Sequence, residues 1–505
     1  MAKPARLQSP RHTTTPVDEG RARAEAQAED RRRRRLFAPR SGWGGRFGGR
    51  VAVEDTGTVY TGPSTQAAGV YPFLLGAGLP ARGVPVGRDV LTGELVCIDP
   101  AGWVGRLTTN SGVWVMSQPG AGKSALVKRV LLFYSAFGYM PVVPGDVKGE
   151  YTSLIRELGG SVIRIGTGTG RLNPLDSGPL KKRVHAMPAA ERTALLEVLN
   201  SRRLETLGAL LATKHGLGRV ADEVQRSALT CAVQLAADAA PGDDPIIPDV
   251  ITVLRQAPEP LRNRLAASGD GYADLTRSVI AGLDNLVSGP LQGLFDGPTT
   301  HPLDIAAPAV SVDISPLRAR GQDVLSAGMI ATWAYTYASI DAARTTGLMN
   351  RRLVLPLDEM WRALRSGPGL VDAMDSITRL SRGDGDVSLL VTHSLLDSEA
   401  LPTEEDRAKA RGLMDRCDTW IIGASTEEEL RRVTGKRQLT EQERSMIASW
   451  SSATSTGLDT GEDVHPGRGK FMIKVGGRPG LAAASELTAT EVRLYHTDPK
   501  AGVGR

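Results

Sequence analysis

Cysteine is almost missing from this chain. Cys97, Cys231 and Cys417 stand far apart, with no metal-ligand spacing and no disulfide framework. Neither a zinc site nor a stapled secreted scaffold is expected, and a reducing cytoplasm fits the pattern. Long apolar runs are missing as well. No stretch of the chain approaches the ~18–20 residues that a membrane helix needs. No signal-peptide core follows Met1. A cytoplasmic protein is expected, at most peripheral at the inner face of the cell membrane and held there by surface charge or a partner. No internal repeat is visible.

What is present is a globular composition, with 41% hydrophobic residues in 505. That length suffices for two or three domains and a sizeable core. The net charge of +5 conceals an asymmetry. Residues 1–50 hold 13 Lys/Arg and 5 Asp/Glu, and Arg31 to Arg35 is an unbroken arginine run. The rest of the chain is slightly acidic. Such a tail suits either of two roles: a contact for nucleic acid or anionic lipid, or a solvated extension.

The most telling stretch is Ser117-Gln-Pro-Gly-Ala-Gly-Lys-Ser124, directly after the apolar run Val113-Trp-Val-Met116. A buried strand followed by a glycine-rich turn and a helix is the arrangement of a phosphate-binding loop. Backbone N–H groups of Gln118, Pro119-Gly120-Ala121-Gly122, Lys123, Ser124 and Ala125 line such a cradle, proline excepted. Lys123 reaches the β- and γ-phosphates, and the Ser124 hydroxyl reaches Mg²⁺. A helix expected over Ser124 to Tyr139 adds its dipole. The usual pattern begins with glycine, and here Ser117 holds that position.

A second motif pairs with the first. Leu353-Val-Leu-Pro-Leu357 reads as a buried strand that delivers Asp358 and Glu359 at its C-terminal end. Asp358 suits the Mg²⁺ shell, and Glu359 suits the polarisation of an attacking water. Together the two motifs point to hydrolysis of a nucleoside triphosphate.

Strands alternating with helices imply an α/β fold with a mostly parallel, doubly wound sheet. The strands are expected near Val142–Asp146, Val162–Ile165, Ala309–Ile314, Leu353–Leu357, Ser388–Thr392 and Thr419–Gly423, with Phe471–Val475 as a late edge strand. Residues 1–55 read as a disordered Arg-rich tail. Residues 56–105 read as a small β-rich entry segment, including Tyr71–Leu75 and Leu95–Pro100. The core is assigned to 106–176 and 301–505. Helical spacing of apolar residues marks 177–300 as a helical insertion.

Several short motifs occur in order. They are Gly69-Val-Tyr-Pro-Phe73, the phosphate loop, Asp146-Val-Lys-Gly-Glu-Tyr151 and Leu172-Asn-Pro-Leu-Asp176. Gly289-Pro-Leu-Gln-Gly-Leu-Phe-Asp296, Val312-Asp-Ile-Ser315, Asp358-Glu-Met-Trp361 and Val391-Thr-His-Ser394 follow. Together they resemble the large conjugative ATPases of type IV secretion systems, the TraC and VirB-four-like family. That family belongs to the FtsK/HerA-type group of RecA-like P-loop motors. The resemblance covers about Thr61 to Asp498. It implies an ATP- and Mg²⁺-dependent motor that hydrolyses ATP between neighbouring subunits of a ring, commonly a hexamer, beside membrane components of a secretion channel. It also implies roles for particular residues. Asp146 or Glu150 would help place Mg²⁺ or water, unless they form an ordinary acidic turn. His393, where the family has glutamine, would sense the γ-phosphate or orient water, unless it is an ordinary buried strand-end histidine. Arg379 or Arg382 would act as a finger on the neighbouring subunit's nucleotide, unless each is an ordinary surface arginine, with Arg478 as a further candidate, unless its loop closes over the adenine. Members of the family carry more chain before the ATPase than the roughly 100 residues here. Two other readings share these motifs: a DNA translocase or coupling ATPase, and a nucleotide-binding scaffold with little hydrolysis.

Overall fold

The computed structural model describes residues 20, 23–28, 79–166, 168–178, 189–240, 243–368, 370–371, 385–435, 437–451, 455–456, 463–464 and 466–495. Residues 20 and 23–28 are helical and exposed. The remainder of the expected disordered tail, and Tyr71–Leu75, lie outside the described residues. The body that begins at Leu74 is built on one eleven-stranded sheet.

The strands in chain order are β1 Val84–Asp89, β2 Leu95–Ile98, β3 Val113–Met116, β4 Met140–Asp146, β5 Ser161–Arg164, β6 Val310–Asp313, β7 Leu353–Leu357, β8 Val387–Thr392 and β9 Thr419–Ile422. Two short strands, β10 Ser455–Thr456 and β11 Asp463–Val464, pair with each other. β12 Lys470–Val475 and β13 Leu481–Ala484 complete the set. The sheet order is β2-β1-β13-β12-β9-β3-β8-β7-β4-β6-β5. From β9 to β5 every pairing is parallel. From β9 to β2 every pairing is antiparallel. Parallel strands buried on both faces need near-continuous apolar sequence, and β3, β7 and β9 supply it with every residue buried.

Alternate residues of each strand face different cores. Val113 and Val115 pack with Leu126, Val127, Val130 and Leu131 of helix α1, Lys123–Ala136. Trp114 and Met116 join the opposite cluster, where Trp114 meets Trp420 at 5.7 Å and Trp361 at 6.0 Å between ring centroids. Helices therefore cover both faces, as a doubly wound sheet requires. Helix α2, Thr152–Glu157, follows the turn after β4.

Between β5 and β6 run five described α-helices: α3 Ala189–Ala212, α4 Glu223–Ala239, α5 Ile247–Gln256, α6 Glu259–Leu265 and α7 Gly269–Val287. A capping box of Asp222 and Gln225 starts α4. After β6 comes α8, Gln322–Thr345, buried nearly all round.

One expectation fails. Phe471–Val475 is not an edge strand. β12 lies between β9 and β13, antiparallel to both. Its alternation explains why: Phe471 and Ile473 fill one core, and Met472 fills the other. The edge on that side is β2 instead. None of the described helices is long and apolar enough to cross a membrane.

Candidate functional site

The carboxyl ends of the parallel strands form one rim. β8 lies between β3 and β7, with Met116 level with Thr392 and Leu357 level with Leu390. The segments that leave these three strands are the phosphate loop, His393 and Asp358-Glu359. Three motifs distant in sequence thus become neighbours, at the place where open α/β sheets bind ligands.

The loop is shaped by its own glycines. Gly120 and Gly122 have φ of 80° and 100°, a region that favours glycine. Ser117 is not among the residues with positive φ, so this position needs no glycine. Its side chain is accommodated from across the sheet. A Cβ on Gly423 would lie 2.6 Å from Ser117 Oγ and 2.7 Å from its Cβ. The serine at position 117 is thus matched by the glycine that follows β9. Backbone bonds fix this junction: Gln118 N donates to Ala424 O at 2.9 Å and Gly423 N donates to Met116 O at 2.8 Å.

This pairing makes a prediction. Gly423→Ala should push Ser117 and the loop entrance aside, at about 1–3 kcal/mol for an overpacked site. Fluorescent-nucleotide titration should show weaker binding, and Ser117→Gly in the same chain should restore most of it. Unchanged affinity in Gly423→Ala would show that the contact does not set the loop.

Lys123 is buried at the start of α1. Its ammonium donates to Ser117 O, to Gln118 O at 3.0 Å, and to His393 Nδ1 at 2.9 Å. Burial pulls its pKa down to about 8, against the nearby Asp358 and with the help of Lys148. Because the lysine can only donate, His393 accepts at Nδ1 and carries its proton on Nε2. That second nitrogen faces Glu359 Oε1 at 3.5 Å. His393 therefore bridges the phosphate loop and the acidic pair. Thr392 turns away from them, donating to Asp397 Oδ2 at 2.7 Å.

Glu359 is one of three described non-glycine residues with positive φ, at 56°. Buried Met360 and Trp361 of the short helix α9, Met360–Leu364, hold it there. Arg362 Nε donates to Oε2 at 2.7 Å, and the Lys148 ammonium lies 3.0 Å from Oε1. Burial works to raise the carboxyl pKa. His393, Arg362 and Lys148 more than offset it and hold Glu359 well below the usual carboxylate range. Asp358 shifts the other way, raised by burial and then by the charge of Glu359. It accepts from Tyr151 Oη at 3.2 Å and from Glu359 N at 3.0 Å.

A hydroxyl from Ser124 and a carboxylate from Asp358 are hard oxygen donors, the kind Mg²⁺ takes beside phosphate oxygens. Two adjacent carboxylates that raise one pKa are relieved by a cation, so the residues present fit this ion. Among the described residues no cluster of three His, Cys, Asp or Glu forms an all-protein metal cage. Mg²⁺ in a P-loop site depends on phosphate oxygens and needs none.

Asp146 and Glu150 play different parts. Both oxygens of Asp146 accept backbone amides, from Glu150 at 3.0 Å and Tyr151 at 2.9 Å. Burial still pushes its pKa up to about 6. Asp146 thus organises the turn after β4. Glu150 carries its carboxylate 3.6 Å from Lys148.

The arginines fare differently. Arg379 and Arg382 lie outside the described residues. Arg478 is brought to the rim opposite the phosphate loop. β12 runs antiparallel to β9, with Met472 opposite Ile422 and Val475 opposite Thr419. The turn after Val475 therefore leaves the sheet at the end away from the loop, where Gly476 N donates to Asp418 O at 2.9 Å. The segment that does abut the loop precedes β12: Gly469 N donates to Ala121 O at 2.9 Å.

Sequence reasoning passed over Lys148, Arg362, Gly423 and Gly469. Lys148 stood inside a quoted motif and Arg362 one turn past the acidic pair, at the i+3 spacing that meets on a helix. The two glycines carry no local signal, because their partners are more than 300 residues away.

No protein-family model matches this sequence, and no curated protein matches it. Among solved structures it is similar to VirB4 of Thermoanaerobacter pseudethanolicus. That likeness has a TM-score of 0.61 and 20% identity, over 83% of this chain and 100% of that chain. The two chains share the α/β P-loop fold. A plasmid coupling protein, TrwB, solved with a non-hydrolysable ATP analogue, is similar at a TM-score of 0.46 and 13% identity. That match covers 75% of this chain and 85% of that one.

Proposed function

We propose that this chain is an ATP-hydrolysing motor of a conjugative or type IV secretion-like system. One observation carries the chemistry: His393 joins Lys123 of the loop to Glu359 at 2.9 and 3.5 Å. Loop amides and Lys123 would hold the phosphates. Ser124 and Asp358 would hold Mg²⁺, which neutralises charge developing on the β- and γ-phosphates. Glu359, kept ionised, would orient a water for in-line attack on the γ-phosphorus. The new oxygen–phosphorus bond forms as the bridging bond breaks, ADP departs, and the water's proton passes to Glu359 or to the released phosphate. The fold shared with VirB4 supports placing this chemistry in a secretion apparatus.

The finer reading is a ring, on the hexameric pattern, beside membrane components of the channel. An arginine from the neighbour, Arg379 or Arg382, would complete each site. The Arg31–Arg35 tail would meet DNA or anionic lipid. If sites are shared between subunits, ATPase activity per subunit should rise steeply with protein concentration, in step with oligomer mass by light scattering. Activity that is independent of concentration would remove the shared site. Strong stimulation by long duplex DNA would favour a translocase instead.

A further inference from the structure

The turn Asp146–Tyr151 touches both members of the acidic pair. Asp146 accepts the amides of Glu150 and Tyr151 and so closes the turn. Gly149 has φ of 71°, and a Cβ there would lie 3.3 Å from Ser315 Oγ. Glycine lets the turn fold tightly after Lys148. Two side chains then reach β7's end from this one turn. Tyr151, fully buried, donates to Asp358 Oδ2 at 3.2 Å. Lys148 extends its ammonium to within 3.0 Å of Glu359 Oε1.

The position of that cation is specific. Arg362 takes the other oxygen of Glu359 at 2.7 Å. His393 approaches Oε1 only at 3.5 Å. Without Lys148, one buried oxygen of a residue in left-handed backbone would have a single distant partner. A carboxylate that must aim at a water needs both rotamer and backbone fixed.

We propose that Lys148 is a positioning residue for Glu359, holding its carboxylate in the orientation that activates water. This rests on the ATPase reading of the site. A phosphate-binding lysine would act on affinity for ATP. A positioning lysine would act on turnover, through Glu359 alone.

Steady-state kinetics and ATP titrations on Lys148→Ala and Lys148→Arg in the full chain separate these. We expect Lys148→Ala to lower kcat about 10- to 100-fold, the scale of a small misplacement, with KM and the ATP Kd changed by no more than about twofold. Lys148→Arg should regain part of the loss. In the Glu359→Gln background, Lys148→Ala should cost nothing further, because the residue it positions is gone. A raised KM with unchanged kcat would overturn the proposal in favour of a phosphate ligand. So would an additional loss in the Glu359→Gln background, or an unaltered kcat. A wild-type chain without ATP hydrolysis would overturn the ATPase reading itself, and this inference with it.

Discussion

Glu359→Gln should bind ATP about as well as the wild type and lose turnover by at least ~10²-fold, the low end of general-base effects. The substitution keeps size and hydrogen-bonding capacity but removes the charge that polarises water. Its neighbourhood shows why charge matters. Arg362, Lys148 and His393 surround the carboxylate and hold its pKa well below the usual range. The residue also occupies a left-handed backbone conformation, of the kind that persists only where packing over-determines it. Trp361, packed at 6.0 Å against Trp114, supplies that packing. Binding by calorimetry and phosphate release by a coupled assay test the two halves separately. Normal steady-state hydrolysis by the purified variant would sink the assignment. Lost binding would instead mean that the carboxylate supports the loop, through His393.

Much of this site can be read in the sequence because its parts are local. A strand, a glycine-rich turn and a helix stand next to each other from Val113 to Ala136. The second acidic strand is equally compact. The parallel strands declare themselves as apolar runs, since both faces are buried. What could not be read is order in space. Nothing local says that β8 enters between β3 and β7, which is what brings His393 to both motifs. The fate of Phe471–Val475 is the same lesson. Its apolar run says strand, but an edge and an interior strand differ only in what pairs beyond them. Here β13 and β1 pair beyond it, and the resulting antiparallel direction carries Arg478 away from the loop and Gly469 toward it.

The C-terminal elements also hold the loop's helix, which no motif foretells. Arg129 on α1 makes bonds of 2.6 and 2.7 Å to Glu491, on helix α10, Ala489–Tyr495. It also reaches the carbonyls of Val86 and Glu486. A buried, bidentate pair with every donor directed needs partners from two separate stretches of chain, Val86 and Ser485–Glu491. Removing one member leaves a buried charge, which is far costlier than losing a surface pair.

Lys123→Ala should differ from Glu359→Gln by losing binding as well as turnover. In the structure the ammonium is held over the loop by Ser117 O, Gln118 O and His393 Nδ1. Those neutral acceptors compensate a buried cation poorly, and burial lowers its pKa to about 8. A phosphate group entering the loop would replace them with full negative charge. A hydrogen bond to a charged group contributes about 1.5–3 kcal/mol. At 1.4 kcal/mol per decade that is roughly a 10- to 100-fold loss of affinity. The loss should follow the phosphates that the lysine reaches. ATP and ADP should both bind more weakly to Lys123→Ala, whereas AMP, which lacks the β- and γ-phosphates, should be almost unaffected. Calorimetric titration with all three nucleotides measures this directly. Equal weakening for AMP would mean that the variant has collapsed the loop. Unchanged ATP affinity would mean that the lysine at position 123 does not contact the nucleotide, and the phosphate-loop assignment would fall with it.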